Sequence, residues 1–133
     1  AALTHGVLRR AVTKRLGTSE ARWLNILTAV EFHLPFYMSR TLPNTFALLL
    51  ANLAHAALLE GSGYSCLCIL AVAAAIFRCD LLLLIAPVGL LLLAQRTVSF
   101  LKAAVLTAAA AAGGALLSVL VDSYMWSRLL WPE

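Results

Sequence analysis

Long uncharged apolar runs dominate the chain and predict helices that cross a lipid bilayer. The two longest runs, 41–59 and 103–121, each hold 19 residues, which at about 1.5 Å per residue extend ~28 Å, close to the thickness of a bilayer's hydrocarbon core. Three shorter apolar stretches predict further helices at 23–38, 61–77 and 81–95. The pattern predicts an all-α membrane protein, a polytopic bundle of about five transmembrane helices.

These helices divide the chain into a basic segment, 1–22, a transmembrane region, 23–121, and a luminal segment, 122–133. Composition agrees, because 62% of the residues are hydrophobic, 12% are charged and the mean hydropathy is +0.92, unlike a soluble domain. A soluble bundle is disfavoured, since 133 residues cannot bury so much apolar surface. The approximate helix bounds are 23–38, 42–59, 64–77, 81–95 and 101–121.

Basic residues before the first predicted helix indicate that segment 1–22 is cytoplasmic, because Lys and Arg are enriched in cytoplasmic segments near helix ends. Threading five helices from there returns the chain to the cytoplasm at 60–63 and 95–102. The net charge of +4 is therefore a topology signal, and no basic groove indicates nucleic-acid binding. The expected partner is the lipid bilayer. The remaining connections, 39–44, 78–80 and 122–133, then share the luminal face.

Ionisable residues at membrane depth are costly and therefore mark candidate functional positions. Glu31 and His33 point to nearly opposite faces of a helix unless Pro35 kinks it. His33, Tyr37 and Arg40 lie within about 60° of one another in helical projection and form a stripe toward the luminal surface. The alternative is structural, with Glu31 bonded to a neighbouring helix and His33 at the membrane interface.

Arg78 and Asp80 lie between two short apolar runs, so both are expected below the luminal surface. An Arg there can hold a phosphate through charge-assisted hydrogen bonds, or it can anchor the helix end by snorkelling. In the preceding predicted helix, one stripe is polar and is expected to form a seam against other helices. It contains Asn44, Asn52 and His55.

The three cysteines give no metal site. Cys66 and Cys68 lie about 200° apart on a helix and cannot easily share a metal, and together with Cys79 they are predicted to be buried free thiols. Neither a cofactor-binding motif nor a Ser/His/Asp triad is indicated, so no metal and no cofactor are expected.

Two polar blocks interrupt the apolar pattern: FHLPFYMSRTLPNTFAL at 32–48 and VDSYMWSRLLWPE at 121–133. They resemble the dolichyl-phosphate-mannose-dependent mannosyltransferases of glycosyltransferase family 22. The Ser39–Asn44 core is general to the family. Pro43 within it and the ending Trp131–Glu133 are closer to the endoplasmic-reticulum enzymes that form alpha-1,6 bonds in N-glycan precursor assembly than to the GPI-anchor and alpha-1,2 enzymes.

The resemblance implies a C-type glycosyltransferase fold in the endoplasmic-reticulum membrane. The implied reaction transfers mannose from dolichyl phosphate mannose to a dolichol-linked oligosaccharide, with inversion at the donor carbon and therefore with a carboxylate base. The family's acidic motif lies N-terminal to the matched region, so the chain is expected to be an inactive fragment of a longer enzyme. Within this chain, Asp122 is a weak candidate for that base. The candidate substrate-binding residues are His33, Arg40, Asn44, Arg78, Asp80 and Arg128.

Two other functional classes are compatible with the sequence. In a polytopic transporter, Glu31, His33, Arg78 and Asp80 would converge at mid-membrane, whereas the enzyme predicts polar residues clustered at the luminal ends. A non-catalytic membrane subunit is the second alternative, because this chain lacks the expected catalytic acid.

Overall fold

The computed structural model describes residues 2–31, 36, 43–77 and 79–126, and across these residues it contains helices and no strand. The prediction of an all-α chain is thus confirmed. A short 3-10 helix, Cys79–Leu81, precedes α5. The α-helices are α1 Ala2–Arg15, α2 Thr18–Val30, α3 Pro43–Leu59, α4 Gly63–Ile76, α5 Leu82–Ala94 and α6 Phe100–Trp126.

The helix bounds differ from the predicted ones at both ends of the chain. The helix predicted at 23–38 begins earlier, at Thr18, and ends at Val30, because Glu31 is in extended backbone. Segment 1–22, to which the apolar pattern assigned no helix, contains α1 and the first turn of α2. Its Arg and Lys residues are good helix formers, and Gly17, with φ 123°, separates the two helices. The last helix continues beyond residue 121 to Trp126, since a single Asp does not break a helix.

Helix α4 is the centre of the bundle and packs against α3, α5 and α6. A helix that is apolar on all sides is typically a buried one, and α4 carries small residues that let its neighbours approach. One core cluster joins Ala54 of α3 to Cys66 and Leu70 of α4. A second cluster joins α4 to α5 and α6 through Leu67, Leu92, Val98 and Ala103.

Helices α1 and α2 form a hairpin that packs against α3 through α1. The hairpin is bridged by a hydrogen bond between His5 Nε2 and Asn25 Oδ1, 3.3 Å apart. Ala11 and Val12 are buried in α1. The guanidinium of Arg15 donates from Nε to the Leu59 carbonyl at 2.7 Å, so α1 and α3 end at the same level.

Three connections meet at one end of the bundle, which we call the turn end: Leu16–Gly17, 60–62 and 95–99. The Arg15–Leu59 hydrogen bond joins the first two. The Ser99 backbone N–H donates to the Tyr64 hydroxyl at 2.9 Å and joins the second to the third. The charge pattern assigned these same segments to one side of the membrane, and the structure brings them together.

Among the helices in the described part of the chain, α6 is long and apolar enough to cross a membrane, with 27 residues. Within this chain, 6% of its apolar stretch is buried, and the other residues are half-buried or exposed. Helices α3, α4 and α5 are apolar but shorter, with 17, 14 and 13 residues. The five-span bundle and the C-type fold therefore stay predictions.

Candidate functional site

Three of the predicted site residues can be placed: Asn44, Asp80 and Asp122. Asn44 is exposed in the first turn of α3, Asp80 is exposed in the 3-10 helix, and Asp122 is half-buried near the end of α6. The others, His33, Arg40, Arg78 and Arg128, lie outside the described residues.

An aromatic contact brings Asn44 and Asp80 to the same end of the bundle. Phe46 of α3 stacks on Phe77, which follows α4, with ring centroids 5.8 Å apart and planes 13° from parallel. Asn44 lies two residues before Phe46, and Asp80 lies three residues after Phe77. Both side chains therefore lie opposite the turn end, at what we call the polar end.

Close packing of α6 on α4 brings Asp122 to the polar end as well. A Cβ built on Gly114 would lie 3.5 Å from Val72 Cγ1 and Ile76 Cγ1, so α6 passes the last turn of α4 at this residue. Beyond Gly114, α6 continues to Trp126 for about 18 Å at ~1.5 Å per residue. Asp122, about 12 Å beyond Gly114 along the axis, extends past the level at which α4 ends.

Among the residues that the structure describes, Ser118 orients the carboxylate of Asp122. Ser118, one turn earlier on the same face of α6, donates from Oγ to Asp122 Oδ2 at 3.4 Å. A long hydrogen bond within one helix positions the side chain but leaves its other oxygen for a ligand. The carboxylate is therefore suited to accept a hydrogen bond from a hydroxyl group at the polar end.

The 3-10 helix exposes both Asp80 and its neighbour Cys79. The thiol of Cys79 lies 3.9 Å from Asp80 Oδ1, as a weak donor to that carboxylate. The prediction of a buried thiol is wrong for Cys79, because the chain turns at this residue and leaves its side chain exposed. It is confirmed for Cys66, which is buried, whereas Cys68 is half-buried; all three are free.

The predicted polar seam on α3 is divided. Asn52 is buried, with its Nδ2 unpaired among the described residues, and half-buried His55 donates from Nδ1 to the Ala51 carbonyl at 2.7 Å. Asn44 of the same stripe is exposed. The seam is thus buried toward the middle of α3 and open at the polar end.

The polar end gathers two carboxylates and an amide on separate helices, a set that can hydrogen-bond the hydroxyl groups of a sugar. Sequence reasoning missed the contact that organises it, because neither Phe46 nor Phe77 carries a periodic signal beyond that of an ordinary apolar residue. Only the antiparallel packing of α3 on α4 brings the two rings together.

Comparisons with known proteins point to one family. The model of the Alg9-like mannosyltransferase family matches residues 1–133. No solved structure matches the chain at a significant level.

Three curated relatives have the same activity in their names. The chain is 42% identical over 128 residues to the Dol-P-Man:Man(7)GlcNAc(2)-PP-Dol alpha-1,6-mannosyltransferase of Arabidopsis thaliana, covering 94% of this chain and 25% of that protein. The Drosophila melanogaster protein of the same name is 38% identical, and the match covers 95% of this chain and 19% of that protein. The Schizosaccharomyces pombe protein, whose name carries the word probable, is 35% identical, and the match covers 92% of this chain and 22% of that protein. The chain thus spans about a quarter or less of each relative's length.

Proposed function

Because the chain belongs to the Alg9-like mannosyltransferase family, we propose that the complete protein transfers mannose from dolichyl phosphate mannose to a dolichol-linked oligosaccharide and forms an alpha-1,6 bond. The observation that carries this proposal is the 42% identity to the Arabidopsis thaliana enzyme across 94% of the chain. Relatives from an insect and a fission yeast with the same activity in their names support it.

The proposed setting is the endoplasmic-reticulum membrane, crossed several times, with the polar end in the lumen. The length and exposure of α6 support this setting, as do the apolar helices beside it. Tyr124 and Trp126 are exposed in the last turn of α6, and such side chains are typical of the membrane–water interface. In this orientation the last turn of α1, with Lys14 and Arg15, lies at the cytoplasmic side, in agreement with the positive-inside rule.

The step in level between α4 and α6 suits two lipid-linked substrates. Asp80 lies close to the end of α4, whereas Asp122 lies on the part of α6 that extends beyond it. With Trp126 at the interface, Asp80 lies deeper in the membrane than Asp122. A donor phosphate drawn below the luminal surface would meet the deeper level, at Asp80, whereas acceptor sugars at the interface would meet the level of Asp122.

Transfer from a beta-linked donor to an alpha-linked product inverts the sugar carbon. The acceptor hydroxyl attacks that carbon, a carboxylate removes the hydroxyl proton, and the dolichyl phosphate leaves with the bonding electrons. We assign the base to an acidic residue outside this chain, and we assign Asp122 to positioning of the acceptor. Arg40, Arg78 and Arg128 are proposed to bind the lipid phosphate or sugar hydroxyls, together with His33, Asn44 and Asp80.

The complete protein in proteoliposomes tests the proposal, with radiolabelled dolichyl phosphate mannose as donor and Man(7)GlcNAc(2)-PP-Dol as acceptor. One added mannose, removed by a mannosidase specific for alpha-1,6 bonds, is the expected product. GDP-mannose in place of the lipid donor is the control and should give no transfer. Transfer from GDP-mannose, a product with an alpha-1,2 bond, or no transfer in an otherwise folded protein would each overturn it.

A further inference from the structure

A cleft of about 460 Å³ opens at the turn end, away from the proposed substrate site. Its walls come from all three connections that meet there and from the ends of the helices beside them. Leucine side chains of α3 and α5 form the apolar wall, and Arg15 contributes the charge. The lining residues are Arg15, Leu16, Leu58, Leu59, Gly61, Leu91, Leu92, Gln95 and Thr97.

The guanidinium of Arg15 is fixed at one side of this cleft and keeps unused donors. Its Nε–H bonds the Leu59 carbonyl at 2.7 Å, and its Nη2 lies 3.9 Å from where a Cβ on Gly61 would be. Among the described residues, Arg15 has no further hydrogen bond or ion pair. Four of its five N–H groups are therefore available for a ligand.

A second cation, Arg96, lies in the sequence between the lining residues Gln95 and Thr97 and has an unfavourable backbone conformation. Its φ is +52°, at the position after α5 where the Arg96 and Thr97 N–H groups bond the Leu93 and Leu92 carbonyls at 3.0 and 3.1 Å. Helices usually end in this way at a glycine, as α3 does at Gly61 with φ +87°. A Gly fits this conformation better, so Arg96→Gly removes the charge without straining the backbone.

The turn end also has acidic groups, which bound the basic region. Glu60 is exposed in the α3–α4 connection, and Glu20 Oε2 lies 2.7 Å from where a Cβ on Gly17 would be. Neither lines the cleft. Arg15 is therefore the charged residue of the lining, and Arg96 and Glu60, with opposite charges, each lie next to lining residues in the sequence.

We propose that this cleft binds the phosphate of an anionic membrane lipid from the leaflet at the turn end. Arg15 and Arg96 hold the phosphate through charge-assisted hydrogen bonds, and Leu58, Leu59 and Leu91 contact the first methylenes of the acyl chains. Basic pockets between membrane helices bind anionic headgroups in this way. The inference concerns a second lipid site and does not depend on the transferase activity.

The test uses the complete protein in nanodiscs of phosphatidylcholine with a minor fraction of phosphatidylserine. Native mass spectrometry counts the phosphatidylserine retained by the wild type, Arg15→Gln, Arg96→Gly and the control Arg9→Gln. Arg9→Gln removes the same charge from α1, outside the cleft. We expect each cleft variant to retain about fivefold less phosphatidylserine and the control to stay within about twofold, from the contribution of one basic residue at an anionic surface.

A second arm separates a lipid from a free phosphate. Inorganic phosphate in large excess should leave retention unchanged if the acyl contacts matter, whereas displacement would refute the lipid assignment in favour of a soluble phosphate ligand. Arg15→Gln also removes the hydrogen bond to Leu59 and can unfold the turn. If Arg15→Gln does not fold, the retention measured for Arg96→Gly decides the test. The proposal would be overturned if wild type and Arg96→Gly retained phosphatidylserine equally, or if Arg9→Gln lost as much as the cleft variants. It would also be overturned if the wild type retained no phosphatidylserine, which would show that another part of the protein covers the cleft.

Discussion

Phe46 stacks on Phe77 with ring centroids 5.8 Å apart, and this contact ties the first turns of α3 to the residue that follows α4. Both rings lie within three residues of a candidate substrate contact, Asn44 on one side and Asp80 on the other. The pair therefore links the stability of the bundle to the geometry of its polar end.

We expect Phe46→Ala and Phe77→Ala to be coupled. Stacked aromatic pairs contribute about 0.5–1.5 kcal/mol beyond the area they bury, so the double variant should lose less stability than the sum of the two single ones by that amount. Thermal unfolding of the complete protein in detergent measures the cycle. Phe100, at the turn end, is 70% exposed, so the control cycle of Phe46→Ala with Phe100→Ala should show additive losses. Additive losses for Phe46→Ala with Phe77→Ala would contradict the contact.

Neighbouring glycines of α6 should respond differently to a large side chain. Gly114 faces Val72 and Ile76 at 3.5 Å, whereas a Cβ on Gly113 meets no atom of the described residues within 4 Å. Gly114→Leu should therefore destabilise the protein by about 1–3 kcal/mol through overpacking, and Gly114→Ala should be tolerated. Denaturant or thermal unfolding checks this, with Gly113→Leu as the matched control; an equal loss there would show that α6 is oriented otherwise.

Arg96→Gly is expected to stabilise the protein by about 0.5 kcal/mol, because relief of the left-handed conformation exceeds the added entropy of the unfolded chain. Two variants serve as controls. Gln95→Gly, at φ −76°, should lose about 0.5–1 kcal/mol, and Gly61→Ala, at φ +87°, should lose about 1 kcal/mol. A destabilised Arg96→Gly would mean that the arginine side chain holds the turn together.

Asp122→Asn tests whether this residue is the catalytic base. Loss of a general base lowers the rate by about 10²–10⁴-fold, whereas an acceptor-positioning carboxylate should mainly raise the acceptor KM and leave kcat within about tenfold. Steady-state kinetics of the complete enzyme separate the two outcomes. Glu60→Gln at the turn end is the control, and a kcat loss of a thousandfold would move the base into this chain.

Membrane sidedness can be read from two introduced cysteines. In a complete protein whose other cysteines are replaced, Ser62→Cys should react with an impermeant maleimide on sealed microsomes. Tyr124→Cys, at a side chain 85% exposed, should react only after permeabilisation. The opposite order would invert the proposed topology, and reaction of both on sealed vesicles would show that the two ends do not lie on opposite sides.

Much of the helix content is encoded locally. Uncharged apolar runs predicted α3, α4, α5 and α6 within a few residues, because a helix satisfies its own backbone groups and needs no partner to do so. The apolar pattern did not predict α1, because the basic residues of this segment indicated a stretch of chain in contact with water. In the structure α1 packs on α3 through Ala11 and Val12, a contact that depends on a helix far along the chain.

The sequence predicted which residue types lie at the polar end, and it did not predict how they are arranged. The threading of the chain assigned the three connections of the turn end to one side of the membrane, and the structure brings them together; which side of a membrane they occupy stays a prediction. The level of Asp80 relative to Asp122 follows instead from the close approach of α4 at Gly114. Exposure of Cys79, which the hydrophobic run predicted to be buried, is likewise a consequence of where the chain leaves the bundle.

The sequence alone determined the helical class, the polar blocks and the family, since these depend on local composition and on residues read in order. Tertiary structure decided which helices touch, that Phe46 reaches Phe77, and that Arg15 and Thr97 line one cleft. These two relationships join residues 31 and 82 positions apart. Packing in three dimensions brings such residues together, because a local sequence pattern does not predict the distance between residues that are far apart in the chain.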